Sequence, residues 1–453
     1  MADLRSRVFA LLILLISLAA LVPAPAHAVP SYARQTGAPC SKCHVQAFGP
    51  QLTPFGMQFK LNGYVWGDQK TIPVAAMLLA SYNNTQKGQE PEAAPHYKAD
   101  DNFTIDQISL FVAGRIYSDS SFGNVGMFGQ GTFDGVAKRM GWDNTDIRYA
   151  NTGKLGSMDV TYGVSLNNNP TVQDLWVSTP AWSWPYVGSP LAGTPGAATM
   201  IEGGLAQSVV GLTGYGMFEN TLYLEAGAYR SLTLRLQKNF GVIDDLNGNT
   251  MIEGPAPYWR AALQHQFGAN YASIGTFGMS ARFVPGDDGS AGNDHLVDYG
   301  YDATWQYNAG GPNTFNANLT YVHENQHWGA SYLLGNTDSP ANQLNSLHFN
   351  ADWVYKQTYS LSGGPFQIHG GADMAEYPDS GLNGSPDSRG YIVQAEYIPF
   401  GKRGSWAAPY ANLRVGIQYT YYTEFDGAAQ NYDGAGANAH DNNTLYVFLW
   451  TAI

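Results

Sequence analysis

Across most of the chain, apolar and polar residues alternate one for one, which puts them on opposite faces of extended strands. In 296–307 (LVDYGYDATWQY), Val297, Tyr299, Tyr301, Ala303, Trp305 and Tyr307 share one face; Asp298, Gly300, Asp302, Thr304 and Gln306 share the other. In 411–421, Leu413, Val415, Ile417, Tyr419 and Tyr421 alternate with Asn412, Arg414, Gly416, Gln418 and Thr420. In 314–321, Phe315, Ala317, Leu319 and Tyr321 alternate with Thr314, Asn316, Asn318 and Thr320. Helical periodicity is nearly absent from this part of the chain. About sixteen strands are predicted by this pattern, beginning near residues 74, 103, 121, 145, 158, 207, 220, 257, 270, 294, 312, 344, 360, 388, 408 and 441.

The connections sort into two sets. One is mostly short (118–120, 153–157, 219–220, 269–270, 309–312); the other is long (84–102, 133–144, 169–206, 231–256, 284–293, 375–387, 425–440). Short turns on one side and long loops on the other is the outer-membrane barrel pattern. A soluble sandwich with one wet face is the rival, but its buried face carries aliphatic residues rather than repeated tyrosines. The expected fold is therefore all-β, a transmembrane antiparallel barrel over 73–453. An even strand number puts both termini on the short-turn side, the periplasm, with the long loops, 169–206 above all, outside the cell. The final stretch, DNNTLYVFLWTAI, reads as an aromatic last strand ending at Ile453.

Composition agrees. Charged residues are only 13%, against about a quarter in a soluble domain, and mean hydropathy is −0.23. The net charge of −13 gives no reason to expect a nucleic-acid partner. At the N-terminus, Arg5 and Arg7 precede the uncharged run Phe9–Val22 and the small-residue site Ala26-His27-Ala28. This predicts a secretory signal peptide over 1–28 and a mature start at Val29. The run is short for a membrane span of about 20 residues, and no second run of that length follows. Export to the outer membrane of a Gram-negative bacterium is the expected destination.

Between signal and barrel, residues 29–72 break the pattern. They hold the chain's two cysteines, in Cys40-Ser41-Lys42-Cys43-His44. Zinc would need four ligands, and no second CxxC or HxxxH completes the set. A thiol oxidoreductase would want a βαβ setting. A chance match stands as a third reading. The fourth is covalent haem attachment, for which CxxCH is the spacing: thioethers from Cys40 and Cys43 hold one haem c, and His44 reaches the iron. Such chemistry follows export, as the signal peptide requires. Downstream, Thr53 and Pro54 predict a helix start and Asn62-Gly63 a stop. Phe55 and Phe59, four apart, share one face of that helix. So short a segment buries no core alone and must lean on the barrel.

With PSYARQTGAPCSKCH (Pro30 to His44), LTPFGMQFKLNGY (Leu52 to Tyr64) and the barrel-like remainder, the chain resembles the fused outer-membrane monohaem cytochrome–porins, whose best-known members are iron oxidases. Phe55-Gly56-Met57 stands where such relatives commonly have an FGR-type triplet. The resemblance implies electron conduction from an extracellular donor such as Fe(II) to a periplasmic soluble cytochrome or other carrier, with the haem segment in the periplasm or the barrel mouth. Oxidation of Fe(II) as an enzymatic activity stays open. So do a solute porin with a haem-bearing plug, and outward transfer to an extracellular acceptor.

Methionine and histidine are the usual sixth ligands. Met77, in VAAMLLASYN, shares parity with Ser81 and Asn83, the lumen-facing set, and ranks first. Met57 ranks second, although its place two after Phe55 turns it from the aromatic face. His348 (with Asn350 and Asp352) and His369 (with Asp373) are lumen-facing by parity but deep in the barrel. His265 and His323 fall on the lipid face. Asp244-Asp245 and Asp287-Asp288 lie in long loops and read as solvated surface or as an attraction for Fe(II) through hard oxygen ligands. Asp245-Leu246-Asn247-Gly248-Asn249 resembles a calcium loop without its position-six glycine and position-twelve glutamate.

Overall fold

The computed structural model describes residues 31–67, 73–170, 172–179, 187–286, 288–408 and 410–453. The expected signal peptide, Met1–Ala28, lies outside them, as do Val29, Pro30, Asp287 and residues 68–72. The strands are β1 (Val74–Thr85), β2 (Asn102–Asp119), β3 (Gly123–Asp134), β4 (Arg139–Leu155), β5 (Met158–Asn167), β6 (Val209–Phe218), β7 (Leu222–Ser231), β8 (Gly248–Ile252), β9 (Ala256–Phe267), β10 (Asn270–Gly286), β11 (Asp294–Asn308), β12 (Asn313–His327), β13 (Ala341–Tyr355), β14 (Tyr359–Gly370), β15 (Ser388–Tyr397), β16 (Asn412–Glu424) and β17 (Thr444–Ala452). Neighbours pair antiparallel, and β17 returns to β1 from Met77↔Ala452 to Thr85↔Thr444. β7 pairs directly with β9, while β8 pairs with β10 beyond the end of β9. Sixteen strands therefore close the wall, and closure leaves no strand edge unpaired in lipid.

The alternation read from the sequence sets the two faces. On β11, Tyr299, Tyr301 and Trp305 are 42%, 55% and 41% exposed, whereas Asp298, Asp302 and Gln306 are 0%, 7% and 5% exposed. β12 and β16 repeat this. The molecule is a transmembrane antiparallel β-barrel with an apolar outer face and a polar lining.

Three connections differ from expectation. The predicted long loop 133–144 contracts to 135–138, because β3 and β4 pair as one extended hairpin. At the short-turn end, the connection 398–411 between β15 and β16 is long. The largest difference is 169–206. Rather than standing outside as an exposed loop, the described residues of 168–208 fold into the lumen. Trp176 Nε1 donates to the Tyr271 hydroxyl (2.8 Å), Thr320 Oγ1 to the Ser178 carbonyl (2.7 Å), and Gln418 Nε2 to the Val187 carbonyl (2.7 Å). Its Leu175, Trp176, Val187, Leu191, Met200 and Ile201 are all buried, apolar area that an outside loop would leave in water.

Residues 31–67 fill the lumen at the short-turn end. They form α1 (Ser31–Thr36), α2 (Cys40–Cys43) and α3 (Pro54–Leu61). Inward side chains near that end of the wall hold their backbone. Asn412 donates to the Ala47 carbonyl (3.1 Å), Gln306 to Leu52 (2.9 Å), and Tyr215 to Leu61 (2.8 Å).

Candidate cofactor site in the barrel lumen

α2 is a single turn, and its spacing of three brings Cys40 and Cys43 to one face. Both thiols are free. His44 leaves the helix in extended conformation (φ −117°, ψ 141°) with its N–H on the Cys40 carbonyl (2.9 Å). The chain then doubles back, Val45 N–H to Gln51 O (3.2 Å) and Thr53 N–H to Cys43 O (2.9 Å). The next helix starts and stops where the sequence predicts. Thr53 Oγ1 accepts from Gly56 N–H (3.2 Å), Pro54 occupies the first turn, and Gly63 carries φ +72°. Gly56 is required by closeness: a Cβ there would lie 2.2 Å from the Cys43 carbonyl oxygen. Only glycine lets α3 rest on the CSKCH turn.

Cys40, Cys43 and His44 line a cavity of ≈ 230 Å³, the space reachable by the centre of a water-sized sphere. Tyr32, Phe59 and Tyr64 close it from α1, α3 and the turn after α3. Met77 of β1, Phe111 of β2, Phe128 of β3 and Trp450 of β17 close it from the wall. Here the inner wall is apolar. Ala75, Met77, Leu79, Phe111, Tyr446, Phe448 and Trp450 form one buried apolar cluster.

Burial governs the site's electrostatics. It pushes the Cys40 thiol up to about 11 and Cys43 to about 12, so neither is an activated thiolate of the redox kind. It pushes the His44 imidazole down to about 4, with backbone groups of Gly49 and Gln51 pulling the other way. His44 is therefore neutral and retains a lone pair, and its buried Nδ1 has no hydrogen-bond partner. Lys60 falls to about 8, chiefly through burial, and its ammonium donates to the Asp174 carbonyl (2.8 Å). Among the described residues no three His, Cys, Asp or Glu side chains converge as a metal site, which leaves the zinc reading without a ligand set. Two free thiols, a neutral imidazole, a thioether and aromatic walls are the donor types and surroundings that a covalently held haem uses.

The predicted residues separate cleanly. Met77 is 2% exposed and faces the cavity, on the inward face with Ser81 and Asn83. Met57 does not line it. Its sulfur accepts from the Tyr271 hydroxyl (3.3 Å), within a cluster that includes Leu61, Trp176 and Tyr223. Phe59 lines the cavity, but Phe55 stands outside, edge-on to Trp66 at 5.0 Å. His348 faces inward and meets Glu202 (3.3 Å). His369 does not face inward as expected. The inward set of β14 is Ser360, Ser362 and Ile368, so His369 points out, 57% exposed, onto Asp387 (2.9 Å). His265 and His323 lie on the outer face, as expected. Asp244 pairs with Arg139. Asp245 accepts from Leu246 N–H (2.6 Å) within its own turn, and Asp288 from Ser290 N–H (3.0 Å); those acids serve their loops. Phe111, Phe128 and Trp450 went unpredicted. The available signal was loss of alternation, apolar residues on both faces in SLFVA and LYVFLW.

A closed wall of sixteen antiparallel strands, short turns at one end and an inward-folded long loop belong together. The fold is a porin-like outer-membrane barrel. The chain matches no family model and no curated protein. Solved structures resemble it at low identity. The anion-selective porin from Comamonas acidovorans is 12% identical (TM-score 0.46; 84% of this chain, 98% of that one). The outer-membrane channel DcaP of Acinetobacter baumannii is 11% identical (TM-score 0.44; 84% and 96%). The barrel assignment rests on the strand pairing rather than on these likenesses.

Proposed function

We propose that this barrel is an outer-membrane c-type cytochrome–porin. It holds one haem c and passes electrons across the outer membrane, from an extracellular donor such as Fe(II) to a soluble periplasmic carrier. The carrying observation is the juxtaposition of Cys40, Cys43, His44 and Met77 around one aromatic-walled cavity in the lumen. Met77 comes from a different part of the chain, and its position is independent of the CxxCH motif.

When bound, haem would supply one-electron exchange at its iron. The chain's own groups do the rest. Cys40 and Cys43 would hold it through thioethers, each S–H adding across a C=C bond to give one C–S and one C–H bond without net oxidation. His44 would offer a nitrogen lone pair and Met77 a soft thioether to the iron. Phe59, Phe111, Phe128 and Trp450 exclude water and lower the local dielectric, which favours the less charged iron state. Near the segment and the long loop, inward Arg148, Arg260 and Arg414 are at most 2% exposed. A lumen so filled disfavours free solute diffusion.

The architecture favours a second reading, a solute porin whose haem-bearing segment is a plug, because a sixteen-strand wall can enclose an aqueous channel. Outward electron transfer uses the same groups in reverse. The test is the purified outer-membrane protein. One haem per chain surviving a denaturing gel, and reduced on addition of Fe(II) at fixed pH, is expected. A colourless protein that swells liposomes in small solutes would sink the electron-transfer reading and leave the porin.

A further inference from the structure

The unpredicted connection 398–411 crosses the short-turn mouth of the barrel. Gly401 O accepts from Ser41 N–H of α2 (3.0 Å), and a Cβ on Gly401 would meet the Ala47 Cβ at 2.3 Å. Nearer its other end, Tyr410 interacts electrostatically with Arg34 of α1. The strap is thus held through Gly401 onto the segment carrying CSKCH, with Tyr410 near Arg34. Between the anchors, Trp406 is 74% exposed and edge-on to Phe400 (5.0 Å), and Arg403 is exposed.

Charge is distributed unevenly. The chain has 36 acidic and 23 basic residues. Residues 31–67 and 398–411 contain no Asp or Glu at all, yet carry Arg34, Lys42, Lys60, Lys402 and Arg403. Many acids, such as Asp244, Asp288, Asp387 and Asp433, lie in the long loops at the opposite end. An exposed aromatic flanked by cations, on a strap and a segment that carry no carboxylate although Asp119, Asp159 and Glu219 lie at the neighbouring turns, has the make-up of an interface centre with a steering rim.

We propose that the strap is the docking platform for a small soluble redox protein whose contact face is rich in carboxylates. Trp406 is its apolar centre, and Lys402 and Arg403 steer the encounter. This rests on the electron-transfer reading above, and it names the chemistry of the periplasmic carrier.

The experiment uses the full-length protein in zwitterionic nanodiscs. Two soluble c-type cytochromes serve as probes, one strongly acidic and one strongly basic. Dithionite first establishes that the haem is present and reducible; failure there strikes the electron-transfer reading, and docking is then scored by sedimentation with the acidic probe alone. The exchange rate with the acidic probe is expected to exceed that with the basic probe at least about tenfold at low salt and to converge near 0.5 M. Lys402→Glu with Arg403→Glu should invert the preference, and Trp406→Ala should slow exchange with the acidic probe several-fold, both with dithionite reduction unchanged. Equal rates for the two probes, or variants that alter only incorporation into anionic bilayers, would overturn the proposal and assign the strap to lipid.

Discussion

Two stretches fill the same lumen and are held by the wall in different ways. At the short-turn end the wall offers donors to the carbonyls of 31–67: Arg414 reaches the Phe48 and Gln46 carbonyls, and Asn412 reaches Ala47 (3.1 Å). At the long-loop end the wall offers carboxylates to the N–H groups of 168–208: Glu324 accepts from Met200 (2.6 Å), Asp298 from Ile201 (2.8 Å), and Asp426 from Gly196 (3.1 Å). The first stretch encloses an apolar cavity beside two thiols. The second is held by ion pairs such as Arg260 with Asp174 (3.1 Å) and Asp302 (3.0 Å). The wall also donates to the second stretch, Thr320 to the Ser178 carbonyl and Gln418 to the Val187 carbonyl, so what sets the two apart is the added carboxylates, and in both the buried backbone groups find partners.

The sharpest break between the two stretches is covalent. Cys40→Ala with Cys43→Ala should remove all haem that survives a denaturing gel while leaving the barrel folded, with 168–208 protected from protease. One full equivalent of covalent haem in that variant would end the assignment of 31–67.

Next come the buried arginines. Arg414 pairs with Glu396 (3.2 Å), both side chains 0% exposed. Arg414→Met leaves that carboxylate without its partner, an expected cost of about 3–5 kcal/mol. It should loosen 31–67, read as faster haem loss in urea, more than it exposes 168–208. Arg260→Met should do the reverse. If both variants loosen both stretches equally, the two are one unit and the contrast fails.

Gly56→Ala tests the contact of α3 with the CSKCH turn. Overpacking costs about 1–3 kcal/mol, and haem occupancy per purified chain should fall without loss of barrel yield. The most local effect, though spectroscopically clear, is expected from Met77→Ala. Covalent haem should remain while the spectrum moves toward five-coordinate iron and the potential shifts. Met57→Ala, whose sulfur meets Tyr271 (3.3 Å), should leave spectrum and potential unchanged. The opposite pairing of outcomes would transfer the ligand role to Met57.

The wall was legible because lipid outside and polar groups inside impose a period of two. Strand starts followed within a few residues for most strands, and Met77's inward parity with them. The exposed long loops were legible only as lengths. The turn toward the lumen at 168–208 is written in Leu175, Trp176, Met200 and Ile201, whose burial depends on partners far along the chain, such as Tyr271 for Trp176 and Glu324 for Met200. His369 failed because parity was carried from Asp373, beyond the end of β14, where the alternation no longer applies. The aromatic patch around Trp450 was hidden by the same rule that revealed the rest: LYVFLW looks like a lipid-facing strand, and its inner face is read only once something apolar is known to lie against it. The strap 398–411 was concealed by the expectation that connections at that end are mostly short.

The seam between β1 and β17 bears on how the molecule is made. Met77 and Ala452 are register partners across it, and both look onto the cysteines. Once the seam and the strap are in place, Cys40 and Cys43 lie inside the closed wall and are only partly exposed. On the proposed haem reading, attachment to the still-open chain would come first, insertion and closure second. Barrels folded empty and offered haem afterwards are expected to stay colourless.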